Sequence, residues 1–263
     1  MYNRVKEALA RGDHVLGAGV GFIRSPAVIG LIADAGYDFV SIDMQHSSLS
    51  METVADMCEM ARGMGLTSVV RPYSRDGELG NRIQSLGARG LMHPDVHKRS
   101  EVEQLLGWMR YPPDGTRGSF TGMSSVHETR QPEDINAALN AEMLLVIQVE
   151  RRDAVDHIDE ILDGGGVDVV EVGRNDLAQS YGHPGERRHP DVLAAMEKIV
   201  AACTRHNCAA GAGCDSPEDV AMMIGLGVRY VIYPSGDFSL LRRAYAEGNE
   251  VARSYMGGGT AKR

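Results

Sequence analysis

Eight short apolar runs recur along this chain, separated by stretches whose apolar residues repeat at the helical period. The runs are HVLGAGV (14–20), YDFVSID (37–43), TSVVRP (67–72), GLMHP (90–94), MLLVIQVE (143–150), VDVVEVG (167–173), CAAGAG (208–213) and VRYVIYP (228–234). Their interiors are nearly continuous in carbon, which is the pattern of strands buried on both faces. Such strands, joined through helices, form a parallel sheet covered by helices, and eight units close it into a (β/α)8 TIM barrel. The intervening METVADMCEMARGM (51–64) and SPEDVAMMIGLG (216–227) carry helix patterns. In the second, Ser216 is a natural N-cap, Pro217 suits the first helical position, and Glu218 and Asp219 fall in the first turn. An open doubly wound sheet is the alternative. Its Gly-rich phosphate loop is only weakly imitated by GAGVGF (17–22), and no acidic residue follows on cue.

The 263 residues, 43% of them hydrophobic, suffice for one barrel. It is expected over residues 1–255, with the Gly-rich end, 256–263, as a flexible tail. Residues 111–142 separate the fourth and fifth strands, and Pro112, Pro113 and Gly115 are expected to break any regular element there. A loop this long is expected to be either a functional lid or a surface excursion.

Charge and composition exclude several functions. The net charge is −9 and no Lys/Arg-rich block occurs, so a nucleic-acid partner is not expected. The N-terminal MYNRVKEALARGDH has no apolar signal region, and no apolar run approaches the ~20 residues of a membrane span. A soluble, cytoplasmic protein is expected. Cys58, Cys203, Cys208 and Cys214 show no C-x-x-C pairing, which argues against a disulfide framework or zinc site. The lysines Lys6, Lys98, Lys198 and Lys262 all lie away from strand ends, which disfavours Schiff-base chemistry. Cys214 follows the seventh strand, but a packed thiol is the simpler reading.

In a TIM barrel the chemistry sits at the carboxyl ends of the strands. Those ends carry Asp43 and His46, Arg71, His93 and Asp95, Gln148 and Glu150, Asp176, and Cys214 with Asp215. Glu150 and Asp176 come from adjacent strands. Two carboxylates with waters and a chelating substrate suit Mg²⁺, Mn²⁺ or Co²⁺, although Asp176 could instead cap the helix after it. Arg71 can bind a carboxylate or a developing enolate oxygen, or form a structural ion pair with Asp43 or Glu150. His46 is a candidate general base whose ring Asp43 could orient.

The stretches GYDFVSIDMQHS, VVRP, RYPPDGTRG, VIQVE and VGRNDLAQSYG, in this order, resemble the HpcH/HpaI aldolase family, the class II, metal-dependent pyruvate aldolases, over roughly residues 14–245. The resemblance implies a barrel that exchanges its C-terminal helix with a neighbour in a homo-oligomer, a hexamer or trimer. It also implies a divalent metal on Glu150 and Asp176, chelated by a 2-oxo acid that reacts with an aldehyde. Backbone N–H groups near Asn175 and Asp176 would hold the acid's carboxylate, and Arg71 its keto oxygen. Gln148 would support the metal shell, and His46 would serve proton transfer. The chain departs from the family pattern at Gln45, where an acid is usual, and at Ser85, where an aspartate is usual. His93 and Asp95 are expected near the mouth. Two other functions remain open: a condensing enzyme similar to siderophore citrate synthases, whose CoA channel the 111–142 loop would shape although its few basic residues, Arg117 and Arg130, disfavour it, and a non-catalytic 2-oxo-acid-binding relative.

Overall fold

Near-continuous apolar runs need cover on both faces, and the fold supplies it. A computed structural model of the chain describes residues 3–118 and 132–256. In it, β1 (Val15–Val20), β2 (Phe39–Asp43), β3 (Thr67–Arg71), β4 (Gly90–His93), β5 (Leu144–Val149), β6 (Val169–Val172), β7 (Ala209–Gly213) and β8 (Tyr230–Ile232) pair in parallel and in chain order, and β8 closes on β1. All eight expected strands are present, trimmed by a residue or two at their ends.

The helices in chain order are α1 (Arg4–Ala10), α2 (Ala27–Asp34), α3 (Met51–Met64), α4 (Gly77–Ser85), α5 (Arg99–Met109), α6 (Pro132–Glu142), α7 (Arg152–Asp156), α8 (Ile158–Leu162), α9 (Arg174–Ser180), α10 (Pro190–Arg205), α11 (Pro217–Leu226) and α12 (Asp237–Tyr255). Their ends follow local chemistry. The Ser216 hydroxyl accepts the Asp219 N–H at 3.2 Å to start α11, and Gly227 ends it at φ +100°. Among the described residues no helix is long and apolar enough to cross a membrane.

Alternation along each strand divides the core in two. Phe39, Val69, Met92, Leu144, Val146, Val169 and Tyr230 fill the barrel interior, with Val5 and Leu9 of α1 plugging the lower end. Phe39 stacks on Tyr230 with ring centroids 4.3 Å apart, and a Cβ at Gly17 would collide with the Phe39 ring. The outward residues, among them Ile42, Val70, Leu91, Ile147 and Val170, join the larger core under the helices.

The 111–142 insertion carries more regular structure than its prolines suggest, because α6 occupies its second half. Asn140 of α6 accepts the Tyr111 N–H at 2.7 Å and donates to the Tyr111 carbonyl at 2.9 Å. Tyr111 is buried with Ile135 and Leu139. Residues 119–131, including Arg130, and the 257–263 end lie outside the described residues, so the lid and tail expectations fall largely there.

Candidate active site

The pleat aims alternate side chains into the barrel, so the last inward residue of each strand meets solvent at the carboxyl end. A cavity of about 350 Å³ opens there, lined by His46, Arg71, Gln148, Glu171, Asp176 and Asp237 among others. Asp43 and Arg71 are register partners on β2 and β3. The Arg71 Nε donates to Asp43 Oδ1 at 2.9 Å and Nη2 to Oδ2 at 2.7 Å. Burial alone would raise the Asp43 carboxyl, but the Arg71 hydrogen bonds and charge outweigh it and hold Asp43 below its ordinary value. Nη1 is left facing Gln148 Oε1 at 3.4 Å.

This pairing corrects the expected role of Asp43. The carboxylate engages Arg71 and the backbone N–H of Gln45 at 2.9 Å, and no hydrogen bond joins it to the His46 imidazole. The cause is register: Arg71 is level with Asp43, whereas His46 lies three residues beyond the strand, exposed on the rim.

Glu150 stands one residue past β5, and its Oε2 packs over Gly173, where any Cβ would collide with it. Gly173 is the N-cap of α9, whose first turn carries Asp176. The end of β6 thus brings the two carboxylates toward one place. Among the described residues neither has an ion-pair partner, while neighbouring charges are matched: Asp43 by Arg71, Asp215 by Arg187 at 2.7 Å, and Asp95 by Arg151. Burial, then the charges of Asp176, Glu171 and Asp95, push the Glu150 carboxyl up to about 7. Crowded, unmatched oxygen donors held close by a glycine fit a hard divalent cation.

Four further residues shape this mouth. Arg174 pairs with Asp219 of α11, with Nη1 to Oδ1 at 3.0 Å, and both side chains are almost fully buried. The pair pins α9, and Asp176 with it. Asp237, the first residue of α12, accepts the N–H groups of Gly21, Phe22 and Ile23, at 2.7 Å from Ile23, and so fixes the loop after β1. Arg187 lines the cavity from the loop before α10. Glu171 faces the cavity from inside β6. Its signal was legible, since a lone acid inside VVEV breaks an otherwise apolar strand.

Other expectations need correction. His93 does not reach the mouth. β4 alternation turns it outward beside Leu91 and Leu105, against α4 and α5, where burial and then the Arg75 charge lower it to about 3. Asp95 sits on the rim, paired with Arg151. Ser85 donates to the Asn81 carbonyl within α4 at 2.8 Å. Cys214 is buried, and that burial pushes its thiol up to about 12, which removes it as a nucleophile. Arg117 is buried over the Tyr111 ring and donates to Gln84 at 2.7 Å, so it is not presented to a phosphate-bearing ligand.

The HpcH/HpaI aldolase/citrate lyase family model matches residues 23–221. A hydroxypyruvate/pyruvate aldolase from Roseovarius nubinhibens is 36% identical over 209 residues, which cover 80% of this chain and 81% of that one. The crystal structure of an HpcH/HpaI aldolase from Desulfitobacterium hafniense superposes with a TM-score of 0.91 at 26% identity, covering 96% of this chain and 97% of that one. The citrate synthase SbnG superposes with a TM-score of 0.83 at 27% identity, covering 97% and 99%.

Proposed function

Since the chain belongs to the HpcH/HpaI aldolase/citrate lyase family, we propose that it is a divalent-metal-dependent carbon–carbon lyase that makes or cleaves 4-hydroxy-2-oxo acids through the enolate of a small 2-oxo acid. The observation that carries this is the unmatched pair Glu150, packed against Gly173, and Asp176, which lines the mouth with Arg71 and whose charge acts on Glu150. The pair would hold Mg²⁺, Mn²⁺ or Co²⁺, which would supply Lewis-acid stabilisation of a developing oxyanion. Arg71, oriented by Asp43 through Nε and Nη2, offers Nη1 to the keto oxygen, and that contact strengthens as the oxygen gains charge. Gln148 steers Nη1 from the barrel side. Asn175, next to Asp176 on the cavity wall, joins in holding the substrate carboxylate. His46 on the exposed rim moves the proton between solvent and the carbon that attacks the aldehyde.

The test is methyl-proton exchange. Mn²⁺-loaded protein incubated with pyruvate in D₂O should lose the methyl ¹H signal, and Glu150→Gln should not. Pyruvate binding without exchange would refute the lyase reading. The likeness to citrate synthase SbnG keeps a condensing activity as the second reading, identified by thiol release from acetyl-CoA with oxaloacetate. The buried Arg117 weakens that reading.

We also propose a cytoplasmic homo-oligomer in which α12 packs on a neighbouring copy. Of the residues of α12, only Asp237 is buried, while Phe238, Leu240, Tyr245, Val251 and Tyr255 are exposed. So large an apolar display is characteristic of an interface.

A further inference from the structure

The segment HPGERRHPD (183–191), between α9 and α10, carries two imidazoles and a carboxylate near its ends. Tight turns bring them together. The His183 N–H donates to the Ala178 carbonyl of α9 at 2.8 Å, the Glu186 N–H to the His183 carbonyl at 3.0 Å, and the His189 N–H to the Glu186 carbonyl at 2.9 Å. Gly185, at φ +83°, lets the chain reverse between them. His189 is the N-cap of α10, and Asp191 lies in its first turn. The His183 and His189 rings stack with centroids 3.4 Å apart.

Both imidazoles converge on one oxygen. Asp191 Oδ2 lies 3.1 Å from His183 Nε2 and 3.6 Å from His189 Nδ1. Nitrogen and oxygen ligands of a tetrahedral Zn²⁺ stand roughly 3.3–3.6 Å from one another. The three side chains are therefore spaced nearly as a bound ion would hold them. Among the described residues Asp191 has no ion-pair partner besides these two histidines. The arginines of the segment are engaged elsewhere, Arg187 with Asp215 at 2.7 Å and Arg188 with Asp219 at 3.6 Å. The side chains of His183, His189 and Asp191 are 28%, 26% and 56% exposed, which leaves a path for an ion and its water.

We propose that His183, His189 and Asp191 form a second cation site that binds Zn²⁺ through both imidazoles and the carboxylate, with water as the fourth ligand. None of the three lines the barrel-mouth cavity, and the inference does not depend on the proposed reaction. The two sites differ in the ion they favour. Imidazole suits Zn²⁺, whereas carboxylates and waters suit Mg²⁺ or Mn²⁺. Binding turns the stacked rings toward one ion and withdraws His189 Nδ1 from the Asp191 N–H, a contact of 3.3 Å that water can replace at this exposed helix end. In exchange the ion staples the two ends of the segment. Arg187 lies between those ends and lines the cavity, so the staple steadies one wall of the mouth.

The test is calorimetric titration of metal-free, full-length protein with Zn²⁺ in excess Mg²⁺, with the melting temperature as a second readout. The Glu150→Gln variant isolates the new site and should still take up one Zn²⁺ per chain. Adding His183→Ala should weaken that binding by at least about tenfold and remove the rise in melting temperature that Zn²⁺ gives. His189→Asn keeps a helix cap but lacks the imidazole, so it should weaken binding as much, and it decides should the Ala variant fail to fold. Co²⁺ bound to Glu150→Gln should show the intense visible bands of tetrahedral coordination. No Zn²⁺ uptake by Glu150→Gln, an affinity unchanged by either histidine substitution, or an octahedral Co²⁺ spectrum would overturn the proposal.

Discussion

At the proposed cation site a metal and a proton would compete for Glu150, and the structure sets the scale of that competition. Burial and three neighbouring acids lift this carboxyl from an ordinary 4.5 to about 7 in the metal-free protein. A divalent cation needs it ionised. At pH 8 about nine-tenths of the molecules carry the ionised form and at pH 6 about one-tenth, so the apparent affinity for Mn²⁺ should fall roughly tenfold over that interval. Binding should release about 0.9 proton at pH 6 and about 0.1 at pH 8. Calorimetric titration in two buffers of different ionisation enthalpy measures both quantities. The same shift has a stability consequence with a definite sign. The folded state binds this proton more tightly than the unfolded chain, so the stabilisation is fully present below pH 4.5 and is lost as pH rises through about 7. The metal-free wild type should therefore lose melting temperature between pH 5.5 and 8 relative to Glu150→Gln, and saturating Mn²⁺ should restore it. A Mn²⁺ affinity flat between pH 6 and 8, or a Glu150→Gln variant that binds Mn²⁺ like wild type, would refute the reasoning.

Other perturbations separate the remaining roles. Arg71→Ala should cost about 10²–10³ in kcat with the circular-dichroism spectrum unchanged, because one oxyanion donor is lost and the barrel is not; near-normal kcat would remove Arg71 from the site. Gly173→Ala forces a Cβ into Glu150 Oε2, so Mn²⁺ affinity measured by calorimetry should drop at least about tenfold. Arg174→Ala leaves the buried Asp219 with only the longer Arg188 ion pair at 3.6 Å and should destabilise the fold by about 3 kcal/mol in urea unfolding. Substituting Tyr245 and Tyr255 together by Glu should shift the protein toward monomer in light scattering if α12 packs on a second copy.

The barrel was legible because burial on both faces leaves a simple trace. The VVRP and VIQVE runs cannot be surface strands, and eight of them in alternation with helices leave little choice of topology. Strand ends were less legible, since Tyr37 and Val228 carry the apolar pattern two residues ahead of where β2 and β8 begin. His93 exposes the sharper limit. A polar residue at a strand end reads as mouth-facing, but the pleat decides its direction, and one residue of register turns it from the cavity to the helix layer. The helix α6 was hidden for a related reason: Pro112 and Pro113 correctly predict a turn, and a turn carries no information about the segment twenty residues downstream.

In the site, residue types were legible and their pairing was not. The strand ends displayed acids and arginines, but a sequence does not say which of them neutralise one another. Asp43 reads equally well as the partner of His46 or of Arg71, and only the β2–β3 register decides for Arg71. Asp219 reads as a first-turn helix acid, yet it is the buried counter-charge of Arg174, brought there by the packing of α11 beside α9. Once those matches are made, Asp43, Asp95, Asp215 and Asp219 drop out as free ligands. Of the acids that line or border the cavity, Glu150, Asp176, Glu171 and Asp237 are left without a matching ion pair among the described residues; Asp237 is taken up by the backbone N–H groups after β1, and the other three lie at two depths. The upper two are the proposed cation ligands, and their charges and that of Arg71 act on one another there. The third lies one layer down, level with Gln148 of β5.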